Sequence, residues 1–239
     1  MTTRLLLLSA LLIGAYAPLR AQSLQFGAKA GLMGSTYQRE PTAENDRGPG
    51  RLGPTGGVWL RQPLSSRVAL QAELLYEGRG ARYQSEGPLG WEGSLGYYEH
   101  EEKSRLHYLA VPLLARVRAG KWFAEAGPQA SYLLAGRNKL QTRDYVRNSG
   151  AYAYLPYSAT ESTADFRRWE IGYAAGLGRE LTRALSVGLR FSGAFSPAYR
   201  SLPSVPTYPY ERAYIDHYRL SKARNTGLQL QVSYQLGGV

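Results

Sequence analysis

Eight stretches of this chain alternate between apolar and non-apolar residues with a period of two, and no other feature narrows its fold as much. Successive side chains of a β-strand point to opposite faces, so each stretch offers one apolar face and one small or polar face. In the first, Leu24, Phe26, Ala28, Ala30 and Leu32 oppose Gln25, Gly27, Lys29 and Gly31. The same rhythm runs through Val68–Tyr76, Leu109–Val117, Trp122–Leu134, Trp169–Leu177, Leu185–Phe195 and Leu228–Leu236. A further strand over Pro54–Arg61 is weaker, because Val58, Trp59 and Leu60 are consecutive and leave its facing open.

The second face decides the environment. A soluble sandwich turns a face rich in Lys, Thr and Glu to water. Here it is mostly Gly, Ala, Ser and Gln, with single charges of both signs: Lys29, Glu73, Glu77, Arg116, Arg118, Glu125, Glu170 and Arg190. Such a face suits the crowded inside of a narrow barrel, and apolar faces with aromatics near their ends suit a lipid-facing outside. Backbone amides in hydrocarbon must all be paired, which a helix or a closed barrel achieves. A hydrophobic content of 44% and a mean hydropathy of −0.36 exclude a bundle of spanning helices. The expected fold is therefore all-β, a closed eight-stranded antiparallel up-and-down transmembrane β-barrel. A soluble sandwich or a soluble ligand-binding barrel is the rival.

The connections follow a parity. Long segments (38–51, 83–103, 138–164 and 198–214) alternate with short turns near Pro63–Ser66, Ala119-Gly120 and Thr182-Arg183. Outer-membrane barrels keep short turns on the periplasmic side and longer loops outside. Both termini are then expected in the periplasm. The long segments hold eleven of the nineteen Tyr, among them Tyr97, Tyr98, Tyr152, Tyr154, Tyr157, Tyr208 and Tyr210. Tyrosine supplies rigid amphipathic contact area, as binding loops do, although it also suits strands projecting past the bilayer.

Residues 1–22 read as a signal peptide ahead of a barrel domain over 23–239. Arg4 is the basic start, and the thirteen apolar-rich residues Leu5–Ala17 are too short to span a bilayer. Cleavage is expected next to Ala21 or Gln22 rather than after Ala17, where Pro18 would hinder it. Loss of Arg4 and Arg20 takes the net charge from +11 to +9.

Tyr108-Leu109-Ala110-Val111-Pro112-Leu113-Leu114 resembles the Y-L-x-I-P-L-L strand of the PorT-like outer-membrane β-barrel family, common among Bacteroidetes and their relatives. Phe26-Gly27-Ala28-Lys29-Ala30-Gly31-Leu32 is similar to that family's opening, G-x-K-x-G-x-N. Leu70-Gln71-Ala72-Glu73-Leu74-Leu75-Tyr76 is similar to its L-Q-x-E-L-L-Y strand, and Glu125-Ala126-Gly127-Pro128 to its G-P strand. The four strings occur in the family's order over most of the chain. The resemblance implies an eight-stranded outer-membrane barrel, and its founding members assist type IX secretion and gliding. Two departures stand out: Leu32-Met33 where Asn is usual, and an end at Leu236-Gly237-Gly238-Val239 without a terminal aromatic, for which Tyr234 is the substitute.

Catalytic chemistry finds little footing. Zero Cys excludes disulfides, thiol nucleophiles and Cys-based metal sites. Asp216-His217 is an adjacent acid–imidazole pair, but neighbours on a strand point to opposite faces. His100 beside Glu99, Glu101 and Glu102 could gather a cation, yet an acidic run of this kind is ordinarily solvated. No phosphate-binding loop precedes a helix, and the Arg residues are not clustered with stacking aromatics, so neither nucleotide nor nucleic acid is expected. Arg137, Arg143, Arg147, Arg167 and Arg168 suit headgroup phosphates of the outer leaflet. No catalytic, cofactor-binding or metal-binding residue is assigned, and no cofactor is expected. An eight-stranded barrel has room only for its own side chains or one small ligand, so Arg116 or Arg190 should pair inside with Glu73, Glu125 or Glu170. The expected protein is a monomeric, non-enzymatic outer-membrane barrel that contacts lipid. Its long loops are expected to reach envelope or secretion-system proteins or extracellular ligands. A narrow channel and a rim-located enzyme using His217 are the alternatives.

Overall fold

In a computed structural model the described residues are 24–38, 50–91, 94–148, 151–161, 163–200 and 223–238. They form ten antiparallel strands: β1 (Gln25–Gln38), β2 (Arg51–Pro63), β3 (Val68–Arg79), β4 (Arg82–Trp91), β5 (Ser94–Ala119), β6 (Trp122–Asn148), β7 (Ala151–Glu161), β8 (Trp169–Glu180), β9 (Leu185–Ala194) and β10 (Arg224–Gly238). Eight of these make a ring in which β1 pairs with β2 and β10, and β5 pairs with β6 to complete the circuit. Every neighbour is antiparallel, as up-and-down connections require. The expected signal segment lies outside the described residues.

The short turns sit together at one end. Ala119 faces Trp122 across a two-residue turn whose Gly120 has φ of +62°, a conformation side-chain-bearing residues rarely adopt. In the 64–67 turn the Ser65 hydroxyl accepts from the Val68 amide at 3.0 Å, and in the 181–184 turn the Thr182 hydroxyl accepts from the Leu185 amide at 2.9 Å. The ends of β1 and β10 lie at this same end, where Gln25 pairs with Gly238.

Two of the long segments are not loops. Residues 82–103 and 138–161 continue the barrel strands as β-hairpins: β4 pairs with the outer half of β5, and β7 with the outer half of β6. At 26 and 27 residues, β5 and β6 are more than twice the 9–11 residues a bilayer needs. They stay paired from Ala119–Trp122 out to Gly96–Val146, so a four-stranded sheet, β4-β5-β6-β7, rises from one side of the ring.

Burial is inverted relative to a water-soluble domain. Leu32, Val58, Leu60, Leu74, Leu113, Ile171, Leu177, Leu189, Leu230 and Val232 are all exposed on the outer surface, while charged and amide side chains fill the middle. An exposed apolar surface this extensive is the pattern of a membrane β-barrel. Trp122, Tyr234 and Phe26 lie near the short turns, and Tyr76, Tyr173, Phe191 and Phe195 sit toward the other end, which gives two aromatic bands with aliphatic residues between. The facing left open for β2 is settled: Val58 and Leu60 point out, and Trp59 is 2% exposed inside. Gly27 makes the room, since a Cβ there would run into the Trp59 indole.

Candidate functional site

The lumen is packed with side chains supplied by the non-apolar faces of the ring strands. Nearest the short turns, Arg190 of β9 donates to Glu73 of β3 at 2.7 and 2.8 Å and to Glu125 of β6 at 2.9 Å through Nε. Lys29 of β1 donates to Glu73 at 2.7 Å, and Gln71 also bonds that carboxylate. Arg116 of β5 lies 3.7 Å from Glu125 and 3.2 Å from Glu180. Three strands on different sides of the ring, β3, β6 and β9, thus meet on one guanidinium, whose rigid fork suits bidentate carboxylates.

A second cluster lies further out. Arg79 of β3 donates to Glu77 at 2.8 Å, to Glu170 of β8 at 3.0 Å and to the Ser131 hydroxyl at 3.0 Å. Its guanidinium stacks on the Tyr108 ring at 4.6 Å. Asn225 donates to Glu170 at 2.6 Å and to the Tyr108 hydroxyl at 3.2 Å, while Gln229 donates to Glu77 at 2.7 Å. Among the buried lumen residues, Lys29, Arg79, Arg116 and Arg190 balance Glu73, Glu77, Glu125 and Glu170. Charges out of water require such pairing, and removing one member leaves the other uncompensated.

Above these clusters the ring is capped. Leu106, Leu133, Phe166, Ala198 and Tyr199 form an apolar layer, with Phe166 and Tyr199 ring centroids 4.7 Å apart. Tyr199 and Asn138 both donate to Glu102, at 3.0 and 2.7 Å. Polar network and apolar lid thus follow one another along the lumen.

The expected interior pairs are largely present. Arg190 meets Glu73 and Glu125, and Arg116 meets Glu125. Glu170 pairs instead with Arg79, a residue the alternation argument stopped short of. Its signal was available, since Glu73, Glu77 and Arg79 continue the inward phase of β3. Arg118 sits at the mouth with its side chain half exposed, 3.6 Å from Glu180.

The run Glu99–Glu102 does not converge. It alternates along β5: Glu101 pairs with Arg82 and Lys103 at 2.8 and 2.9 Å, Glu99 with Arg143 at 3.4 Å, and Glu102 turns into the cap. No group of three or more metal-ligating side chains occurs among the described residues. Asp216 and His217 lie outside the described residues. Arg167 and Arg168 donate to the carbonyls of Tyr199 and Leu133 at 3.1 and 3.2 Å. In the outer sheet the backbone register sets Tyr97, Tyr145 and Tyr154 in one row across β5, β6 and β7. Tyr97 is 40% exposed there.

A ring of eight amphipathic strands, apolar outside and ion-paired inside, defines an outer-membrane β-barrel protein. Residues 20–200 match the family model for the outer membrane protein beta-barrel domain, and the chain belongs to that family. Among solved structures it is similar to Acinetobacter baumannii CarO2, at 13% identity over 90% of this chain and 99% of that one with a TM-score of 0.44. It is also similar to Ail, the attachment invasion locus protein of Yersinia pestis, at 10% identity over 90% and 100% with a TM-score of 0.40. Neisserial surface protein A gives 10% identity over 87% and 96% with a TM-score of 0.34. No curated protein matches the chain.

Proposed function

We propose that this protein is a sealed, monomeric, non-enzymatic barrel whose outward sheet binds an extracellular or envelope partner. One observation carries the proposal: β5 and β6 remain paired for a further dozen residues beyond the ring, joined by β4 and β7. A barrel that only had to sit in lipid would need no such sheet, and rigid scaffolds present binding surfaces in this way. The Tyr97–Tyr145–Tyr154 row supports a contact surface rich in aromatic side chains. The end with the short turns and both strand termini is the periplasmic one by the usual arrangement of such barrels, and the sheet then faces outward. The PorT-like strings support a secretion-accessory form of this role.

Two measurements test it. The purified barrel should resist cold SDS, run at a different apparent mass once boiled, and give no single-channel current in a planar bilayer. Steady conductance steps from the folded form would replace this proposal with a narrow channel. A photo-crosslinking residue in place of Tyr97 should trap one discrete partner on intact cells, and a barrel shortened by removing residues 86–99 and 143–156 should lose its cellular phenotype while keeping the heat shift. An unchanged phenotype in that shortened barrel overturns the binding role.

A further inference from the structure

The short-turn mouth of the barrel opens into a cavity of about 500 Å³ that none of the preceding roles uses. Its walls carry Arg61, Arg116, Arg118, Lys121 and Arg183 against a single carboxylate, Glu180. The inner end is closed by the Arg190–Glu73–Glu125 network, so the cavity is a blind vestibule and not the start of a pore.

Arg61 is the informative residue. Its Nε donates to the Gln71 side chain at 2.7 Å, and its guanidinium lies 4.4 Å from the centre of the Trp59 ring. It has no carboxylate partner among the described residues, although every fully buried cation of the lumen has one. Gln71 cannot serve as a counter-charge, and its own amide is committed to Glu73. The Arg61 plane is thus held by stacking and by one neutral bond, with both Nη groups left to point at something else. Arg116 is also held in place, over the Phe123 ring at 3.3 Å and by Glu180 at 3.2 Å. Lys121 and Arg183, on the turns at the rim, have no carboxylate partner among the described residues either.

Like charges gathered in a partly desolvated concavity repel one another and focus field lines that attract anions. Guanidinium forks held by stacking bind oxyanions bidentately at little further cost in side-chain freedom. A volume of this size is that of a small-molecule site. We infer that the vestibule binds an anionic phosphate group, as in a phosphate mono- or diester, with Arg61 and Arg116 as the fixed clamp and Arg118, Lys121 and Arg183 as the rim. The phosphate could belong to a soluble periplasmic anion or to the headgroup of an anionic phospholipid, and the chemistry recognised is the same. The inference is independent of what the outer sheet binds.

The test uses the full chain, folded in a non-ionic detergent as judged by its heat shift, with inorganic pyrophosphate as the probe in isothermal titration calorimetry. Saturable one-to-one binding is expected, weakening as sodium chloride rises. Arg61→Gln should raise Kd at least tenfold, and Arg82→Gln, on the outer sheet, should leave it unchanged. If Arg61→Gln fails to fold, the double variant Lys121→Gln/Arg183→Gln, whose side chains are exposed at the rim, carries the test with the same expected direction. Absence of saturable binding by the folded wild-type chain at low salt overturns the inference. So does an Arg82→Gln loss equal to that of Arg61→Gln or, where the double variant is needed, equal to that of the double variant. Repeating the titration in nanodiscs separates the sources. Loss of pyrophosphate binding in phosphatidylglycerol discs but not phosphatidylcholine discs assigns the site to a lipid headgroup, and retention in both assigns it to a soluble anion.

Discussion

Strands β5 and β6 pass through two environments, and the same period-two alternation means different things in each. Within the ring, one face is the apolar outside of the barrel and the other its packed lumen, so Arg116 and Glu125 are buried and Leu113 and Val117 are exposed. In the outer sheet the same strands carry Glu99, Glu101, Lys103 and Arg143 in pairs whose side chains are between a quarter and a half exposed. The ion pairs of both regions look alike as distances. They differ in what happens when one partner is lost, because water can replace the missing charge in the sheet and cannot in the lumen.

The sharpest way to break that comparison is Arg190→Met. It removes the one guanidinium that holds both Glu73 and Glu125, and Lys29 and Arg116 then have to serve those two carboxylates alone. A buried charge left without its partner costs about 3–5 kcal/mol. The variant should lose its folded band in SDS at a temperature well below that of the wild-type barrel. Next in size, Glu125→Ala should lower the melting temperature of the detergent-solubilised barrel clearly more than Glu101→Ala does. Equal melting temperatures for the two would mean that the lumen is wet and the two regions are energetically alike.

A steric test is smaller. Gly27→Val drives its side chain against the Tyr234 carbonyl oxygen and the Trp59 ring, and overpacking of this kind costs about 1–3 kcal/mol or more. Gly34→Val, next to Leu52 and open to the outside, should cost less than Gly27→Val in the same urea titration. A reversed order would mean that Gly27 is not closely packed against β10 and Trp59.

How much of this was legible in the sequence follows the same division. The ring strands were readable because an apolar outside and a polar lumen force a clean alternation, and that alternation named Arg190, Glu73 and Glu125 as interior partners. Alternation does not say which cation meets which carboxylate. Arg79 therefore took Glu170, and Lys29 joined Glu73, through contacts 91 and 44 residues apart in the chain. The hairpins β4–β5 and β6–β7 read as loops for a physical reason. A sheet outside the bilayer needs no lipid-facing stripe, and its sequence mixes Gly, Tyr, Glu and Arg on both phases. Pro88 and Pro156 lie on β4 and β7, the edge strands of the sheet, where a missing amide donor is tolerated. The vestibule was hidden for another reason. Arg61 belongs to the one strand whose facing the sequence left open, and its lack of a carboxylate is visible only once the neighbours are known.

The weakest expected effect concerns acid. Burial alone would raise the Glu101 carboxyl, but hydrogen bonds from Lys103 and Arg82 outweigh it and hold the group below the usual carboxylate range. A carboxylate whose pKa is depressed in the folded state adds stability at pH values above its unfolded pKa, and that stability is lost as pH falls through the folded value. Glu101 is largely solvated, so the gain is that of an exposed pair, about 0.5 kcal/mol or less. Acidification should therefore loosen β4 against β5 before it touches the ring, in the pH range just below the ordinary titration of Glu. Hydrogen exchange followed at pH 7 and about pH 3, corrected for the intrinsic rate, should show a loss of protection of about twofold or less for the amides of Arg82–Gln84. Glu101→Gln should remove that pH dependence and leave the ring amides of Leu74–Tyr76 as they were. If the ring amides lost protection in step with the hairpin, the two regions would open as one unit, and the outer sheet could not act as an independent surface on a fixed barrel.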